Sequence, residues 1–496
     1  MRSLSLFSPV ASLAAGLSAL LLAACAQNAA APPPSAAATT AAAPASAAAP
    51  APAPAAGAAI DAKAVGSQIR FVEDDFAGAV ERAKTDKKPL FVDSWATWCH
   101  SCLSMQRFVF NDAGLRTVKD AVVWLSIETE QEHNRGFVEK YPADGLPTFL
   151  LLDPDSGEVL GRWLGSGTAN EMRTFVQQGV QAYAAKSGGP GQTVAALAER
   201  EGDAAQLRRD YPAAGDAYRR AFTQSPKDDP ARPERLVKLA TTLGRRGKHV
   251  DECVALGEQE LNGMPITPAG ADFAVTVAGC AEEVLKADPT DVRARKLPAL
   301  AEAYLIALLA KPDAPLSADD RSDVLANLAD LQESDGRKPT AIETMRRREK
   351  LLEAAAAAAP DPATAATFDA HRTDTYVYLD ELPKAEALLS KREKEIPGDY
   401  NPPARLARVL LLEKKLPEAE AAVDRALGQM TKGPRRIGIL GLKAKILDAL
   451  GKPKEAVLRE QLAVLRGLPA TQRQPETEAK LAATLGEPAA VGAAQK

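Results

Sequence analysis

The chain has 496 residues, more than one compact core normally holds, so two or three domains are expected. Charged residues make up 25% with a formal net charge of -4, a balance that supplies no cationic field for phosphate backbones and sets nucleic acid aside as a partner. Aromatics are only 5%, and Ala, Glu, Leu, Lys and Arg dominate the second half, which favours helices there.

The N-terminus reads as an export signal. Arg2 gives a short positive region, and Val10 to Leu22 is an apolar run too short to span a bilayer comfortably. Leu22-Ala23-Ala24-Cys25 closes it and resembles a bacterial lipobox, which implies that residues 1–24 are removed and Cys25 is lipidated. Ordinary signal cleavage is the alternative, because Ala24-Cys25-Ala26 also obeys the small-x-small rule. Either route delivers the protein to the bacterial cell envelope, facing the periplasm. With the lipid it is membrane-anchored, and Ala26 gives no sign of inner-membrane retention, so the outer membrane is expected. Residues 25–65 are mostly Ala and Pro with a few Ser and Thr, a composition that buries too little to offset chain entropy and serves as a disordered tether. Where extended it would reach about 3 Å per residue.

From 66 to 185 strand and helix signals alternate. Phe76 to Thr85 is amphipathic, while Pro89 to Trp95 and Ala121 to Ile127 are buried-strand runs. Cys99 to Val118 is long enough for a crossover helix between two parallel strands. Thr148 to Asp153 and Glu158 to Leu164 flank the turn Pro154-Asp155-Ser156-Gly157 as a hairpin, and Thr168 is an N-cap candidate for a helix to Ala184.

The most informative stretch runs from Phe91 to Cys102 and ends Trp98-Cys99-His100-Ser101-Cys102. A C-x-x-C between a strand and a helix puts the first sulfur near unsatisfied N–H groups, which favours its thiolate. Protonated His100 would add positive charge beside it, and Cys102, one turn inward, can attack a mixed disulfide. A metal site is not expected: two thiolates with His100 and His133 nearby, and no second C-x-x-C, are too few ligands. Nor does the exchange call for a cofactor. Trp95 reads as packing, Trp98 as part of the contact surface, Glu128 as a solvated strand-end carboxylate, and His249 and His371 as surface or capping residues without partners. Cys253 and Cys280 remain as an even pair, either a structural disulfide or two small buried helix residues.

This stretch resembles the thioredoxin family, whose active site carries an acidic residue, aromatics and W-C-x-x-C in this order. The resemblance implies an α/β thioredoxin-like domain, with Cys99 and Cys102 catalytic and Asp93 the buried carboxylate that exchanges a proton with the second cysteine. Gly145-Leu146-Pro147-Thr148 looks like the family's cis-proline loop, which would set the Leu146 backbone and Pro147, with Trp98 and His100, against the substrate; a trans proline opening a strand is the alternative. Within the family the likeness is to the C-terminal domain of periplasmic thiol:disulfide interchange proteins that deliver reductant outward, carried by Phe108-Val109-Phe110-Asn111-Asp112 and by Gly145 to Asp153. Two departures stand out. The chain has no eight-helix electron channel, so a membrane-bound electron donor would be a separate partner, and Gln106 occupies a place where an acidic residue is expected.

Residues 186–192 form a Gly-rich linker, and 193–487 read as all-helical, followed by a tail at 488–496. Leu382-Pro383-Lys384-Ala385-Glu386-Ala387 recurs 34 residues later as Leu416-Pro417-Glu418-Ala419-Glu420-Ala421, with related openings near Tyr211, Gly336 and Gly451. This looks like a tetratricopeptide-like solenoid, although Gly263 to Leu316 cannot be divided into units. Such an array implies protein or peptide ligands. Two functions follow: an envelope thiol:disulfide oxidoreductase acting on protein thiols and disulfides, with the array selecting clients, or a non-catalytic envelope scaffold built on the array.

Overall fold

The computed structural model describes residues 67–186, 191–246, 249–430, 433–469 and 472–488. The expected signal, Cys25 and the Ala/Pro tether lie outside the described residues. Among the described residues no helix is long and apolar enough to cross a membrane.

Residues 67–186 build one twisted sheet covered on both faces. Its strands are β1 (Val72–Glu73), β2 (Leu90–Trp95), β3 (Val123–Glu128), β4 (Thr148–Leu152) and β5 (Val159–Leu164), in the order β1-β3-β2-β4-β5. β3 runs parallel to β1 and β2, whereas β4 is antiparallel to β2 and to β5. Strands buried on both faces call for apolar residues on both: Leu90 and Val92 of β2 point to one side and Phe91 to the other, with Asp93 and Ser94 as buried polar exceptions. The first side also holds Leu125, Ile127 and Leu150, packed under α1 (Phe76–Asp86). Phe91 joins Phe110, Trp124, Phe149 and Phe175 on the other.

Two helices follow the sequence expectations closely. α1 starts where Asp75 accepts from the Gly78 N–H at 2.8 Å and stops where Lys87 turns left-handed. The crossover after β2 is α2 (His100–Ser104), which widens into a π-turn at Met105–Val109. α3 (Arg135–Lys140) precedes the hairpin, and α4 (Ala169–Lys186) closes this part of the chain, with Thr168 and Glu171 exchanging hydrogen bonds as a capping box.

The remainder is helical: α5 (Val194–Leu207), α6 (Tyr211–Thr223), α7 (Arg232–Thr241), α8 (Val250–Glu260), α9 (Pro268–Ala287), α10 (Val292–Leu309), α11 (Ala318–Ser334) and α12 (Lys338–Ala358). Then come α13 (Pro362–Ala366), α14 (Asp369–Tyr378), α15 (Leu382–Glu395), α16 (Asn401–Leu412), α17 (Leu416–Gln429), α18 (Arg435–Ala449), α19 (Glu455–Gly467) and α20 (Pro475–Leu485). The 34-residue repeat has a physical origin. Leu382 and Leu416 each open a helix with proline in its first turn, and Ala385 and Ala419 are small enough to be fully buried against the neighbouring helix. Lys415 meets Glu386 at 2.7 Å and Lys452 meets Glu420 at 2.5 Å, so the same rung recurs one unit on. The stretch that could not be divided is filled by the two long helices α9 and α10. A disulfide joins Cys253 of α8 to Cys280 of α9.

The array packs directly on the sheet domain. Asp203 of α5 accepts the backbone N–H of Arg162 on edge strand β5 at 3.0 Å, giving that edge a partner.

Candidate exchange site

β2 carries Asp93 in its buried middle and ends at Trp95, from which a short loop leads to Cys99. Cys99 caps α2, and its Sγ accepts the Cys102 N–H at 3.1 Å. The two sulfurs are bonded to each other; Cys99 is 4% exposed and Cys102 is not exposed at all. Asp93 is 1% exposed, and burial pushes its carboxyl up to about 7, against the single hydrogen bond from Gln106 Nε2 at 3.2 Å to Oδ2. Its Oδ1 has no hydrogen-bond partner among the described residues. Gln106 therefore serves the buried carboxyl directly, with a neutral donor where an acidic residue was expected.

The Leu146–Pro147 bond is cis. Since Ser94 pairs with Thr148 across β2 and β4, Pro147 lies beside the end of the strand that leads into the cysteine loop. Trp98 is half-buried and donates from Nε1 to Glu130 Oε1 at 2.9 Å.

This region is also gripped by residues some 260 to 340 positions further along. Tyr400 and Thr97 share a hydroxyl hydrogen bond of 3.1 Å, Asn401 Nδ2 donates to the Thr97 carbonyl at 3.2 Å, and Arg405 donates to the Trp98 carbonyl at 3.4 Å. The Arg435 guanidinium stands 5.4 Å over the Trp98 ring, and Phe108 stacks on Phe368. On the far side, Gln206 donates to Asp144, three residues before the cis proline, at 3.1 Å.

His100 turns into the array. Its Nδ1 is 3.5 Å from Asp319 Oδ2, and its ring centroid is 3.8 Å from that of His371. His371 Nε2 is 3.2 Å from a carboxylate oxygen of Asp319 and 3.2 Å from one of Asp323. His371 is thus a buried interface residue, correcting the expectation of a surface position without partners. Burial opposes both imidazolium charges. Asp319 and Asp323 nevertheless keep His100 above its ordinary value, whereas His371, repelled by His100, falls below it. Burial also opposes the charge on Asp319, but the two imidazoles draw its carboxyl far below the usual range.

His100, Asp319 and His371 offer ligand atoms within 4.8 Å of one another, so a metal deserves a test. Arg348 decides it. Its Nη2 lies 2.5 Å from His371 Nδ1, and a guanidinium can only donate, so Nδ1 accepts and the ring proton sits on Nε2, facing the carboxylates. A metal on Nε2 would move the ring proton to Nδ1, against the Arg348 donor, and the cluster is better described as a buried ion network.

Glu128 also departs from expectation. As the last residue of β3 it is 5% exposed, and burial pushes its carboxyl up to about 7. His249 stands at the start of α8 without a capping side-chain hydrogen bond. The residues that sequence reasoning missed, Asp319, Asp323, Arg348, Tyr400, Asn401, Arg405 and Arg435, carry no local signal that would have found them, and the polar sequence of α14 gives none for His371 either.

A five-stranded sheet of this order, with a C-x-x-C where β2 meets α2 and a cis proline before β4, defines a thioredoxin-like domain. Residues 72–154 match a family model described as thioredoxin-like. The chain is 30% identical over 90 residues to the thiol:disulfide interchange protein DsbD of Pseudoalteromonas atlantica, a match covering 18% of this chain and 15% of that protein. It is 32% identical over 94 residues to the chloroplastic thioredoxin Y2 of Arabidopsis thaliana, covering 19% of this chain and 53% of the relative. The chain therefore spans a small part of the interchange protein and about half of the plant thioredoxin. Among solved structures, a tetratricopeptide repeat protein from Parabacteroides merdae matches with 13% identity and a TM-score of 0.37, over 59% of this chain and 99% of that one. A thermophilic TPR protein of Thermus thermophilus matches with 19% identity and a TM-score of 0.24, over 52% and 99%.

Proposed function

We propose that this protein is a thiol:disulfide oxidoreductase of the bacterial envelope, anchored through a lipid on Cys25 and facing the periplasm. In the reducing direction the Cys99 thiolate attacks a partner disulfide, forming a mixed disulfide and expelling one partner thiolate. Cys102 then gives its proton to Asp93 and attacks Cys99 Sγ, so the Cys99–Cys102 bond forms, the second partner thiol leaves, and two electrons have passed to the partner. Trp98, His100 and the Leu146–Pro147 loop are the proposed substrate contacts, with an extended partner strand pairing beside Leu146. A membrane-bound donor would restore the dithiol, and surfaces of the array not engaged with the exchange loop would hold protein partners.

The observation that carries this reading is the bonded Cys99–Cys102 pair at the start of α2, with a buried carboxyl pushed up to about 7 on the strand that leads into it. The test is partner trapping. A Cys102→Ser variant, expressed at its normal level in the envelope, should accumulate mixed disulfides through Cys99. None above a Cys99→Ser, Cys102→Ser control would leave the scaffold reading in its place.

A further inference from the structure

His100 is the first residue of α2 and is bonded directly to the nucleophile's residue, yet its imidazole is answered from another part of the chain. Asp319, in the first turn of α11, lies 3.5 Å from Nδ1 and is only 2% exposed. That turn suits a negative charge, because Ser317 and Asp320 complete a capping box there and the helix's positive end is adjacent. The other charged groups packed around His100 are Asp323 of α11, His371 of α14 and Arg405 of α16, with Arg348 of α12 behind His371. A largely buried imidazole with no carboxylate beside it would release its proton.

We infer that Asp319 is a positioning residue of the exchange site: by holding His100 across the interface, it lets the repeat array set the reduction potential of the Cys99–Cys102 pair. The inference rests on the exchange reading above. When two glutathione thiols reduce the pair, the Cys99–Cys102 bond breaks and one glutathione disulfide forms. Two electrons enter the pair; Cys102 keeps one proton as a thiol, and the other is released as Cys99 remains a thiolate. A cation on the neighbouring residue stabilises that thiolate and so makes the pair more oxidising. Asp319 Oδ2 lies 3.5 Å from Nδ1 of the imidazole on the residue that follows Cys99. Its loss therefore costs that imidazole the charge it would hold beside the cysteine.

The test is a double-mutant cycle on the full chain, equilibrated with reduced and oxidised glutathione and read by alkylation of the peptide carrying both cysteines. Asp319→Asn should shift the equilibrium about tenfold toward the disulfide, about 30 mV. His100→Ala should shift it similarly, the double variant no further than His100→Ala, and Asp319→Glu should return it toward wild type. Imidazole titration of the oxidised protein should place His100 above the ordinary histidine value, and at least a unit lower in Asp319→Asn. Equal shifts from Asp319→Asn with and without His100, or an unmoved His100 titration, would overturn the inference even if the variant loosens docking. A wild-type pair that never equilibrates with glutathione would instead remove the exchange reading itself.

Discussion

The Tyr400 hydroxyl lies 3.1 Å from Thr97 Oγ1, two residues before the proposed nucleophile, although 303 positions separate the two in the chain. With Asn401, Arg405 and Arg435 it makes the array one wall of the cysteine loop, and the sulfur of Cys99 is left with little open surface. Replacing Tyr400 and Arg435 together by Ala should speed alkylation of reduced Cys99 several-fold, with little change in Cys102. An unchanged rate would mean that the exchange domain shields the sulfur by itself.

Asp93 predicts a pH limb. With its folded value raised from 3.8 to about 7, this carboxyl favours folding most at acid pH, and the contribution is lost as pH rises through 7. Asp93→Asn should therefore stabilise the protein at pH 8 to 9, on the order of 2–4 kcal/mol by denaturant unfolding, less at pH 5, and hardly at all below the ordinary value of 3.8. The same variant should slow disulfide exchange at neutral pH on the order of 10²-fold and erase the inflection near 7 from its rate profile.

The bond between Cys253 and Cys280 closes a loop across a sequence separation of 27, worth about 3.5 kcal/mol of chain entropy in the simplest treatment. Replacing both cysteines by Ala should lower the thermal midpoint of the array and leave the glutathione equilibrium of Cys99 and Cys102 where it was. A coupled change would show that the two disulfides communicate.

The two histidines at the interface pull in opposite directions. His100, raised, supports docking below the ordinary value near 6.5 and loses that contribution as pH climbs through its folded value. His371, lowered, supports docking above 6.5 and fails as pH falls through its own. Resistance of the docked array to limited proteolysis should accordingly peak near pH 6.5. His371→Gln should flatten the acid side alone; a loss on both sides would assign the effect to other groups.

Much of the sheet domain is legible locally because its signals are local: alternation and apolar runs for β2 to β5, the amphipathic run from Phe76, and Thr168 for a helix start. β1 is only two residues long and α3 only six, too short for any periodicity to register. The cysteine pair and the proline loop announce themselves because the chemistry demands those residues at that spacing. The environment of His100 does not, since its partners sit on α11 and α14 and no spacing rule links residue 100 to 319 or 371. Glu128 was misread for the same reason: a strand end normally meets water, and here Glu130 and the loop around Asp74 and Asn134 close over it.

Asp93 and Glu128 stand on neighbouring strands, and both hold carboxyls that burial has pushed up to about 7. At the composition's isoelectric pH near 5.8, the folded molecule keeps two protons that an unfolded chain would mostly surrender. In isoelectric focusing the native band should therefore settle on the alkaline side of the band run in urea. The folded protein is a weaker polyanion than its residue count suggests.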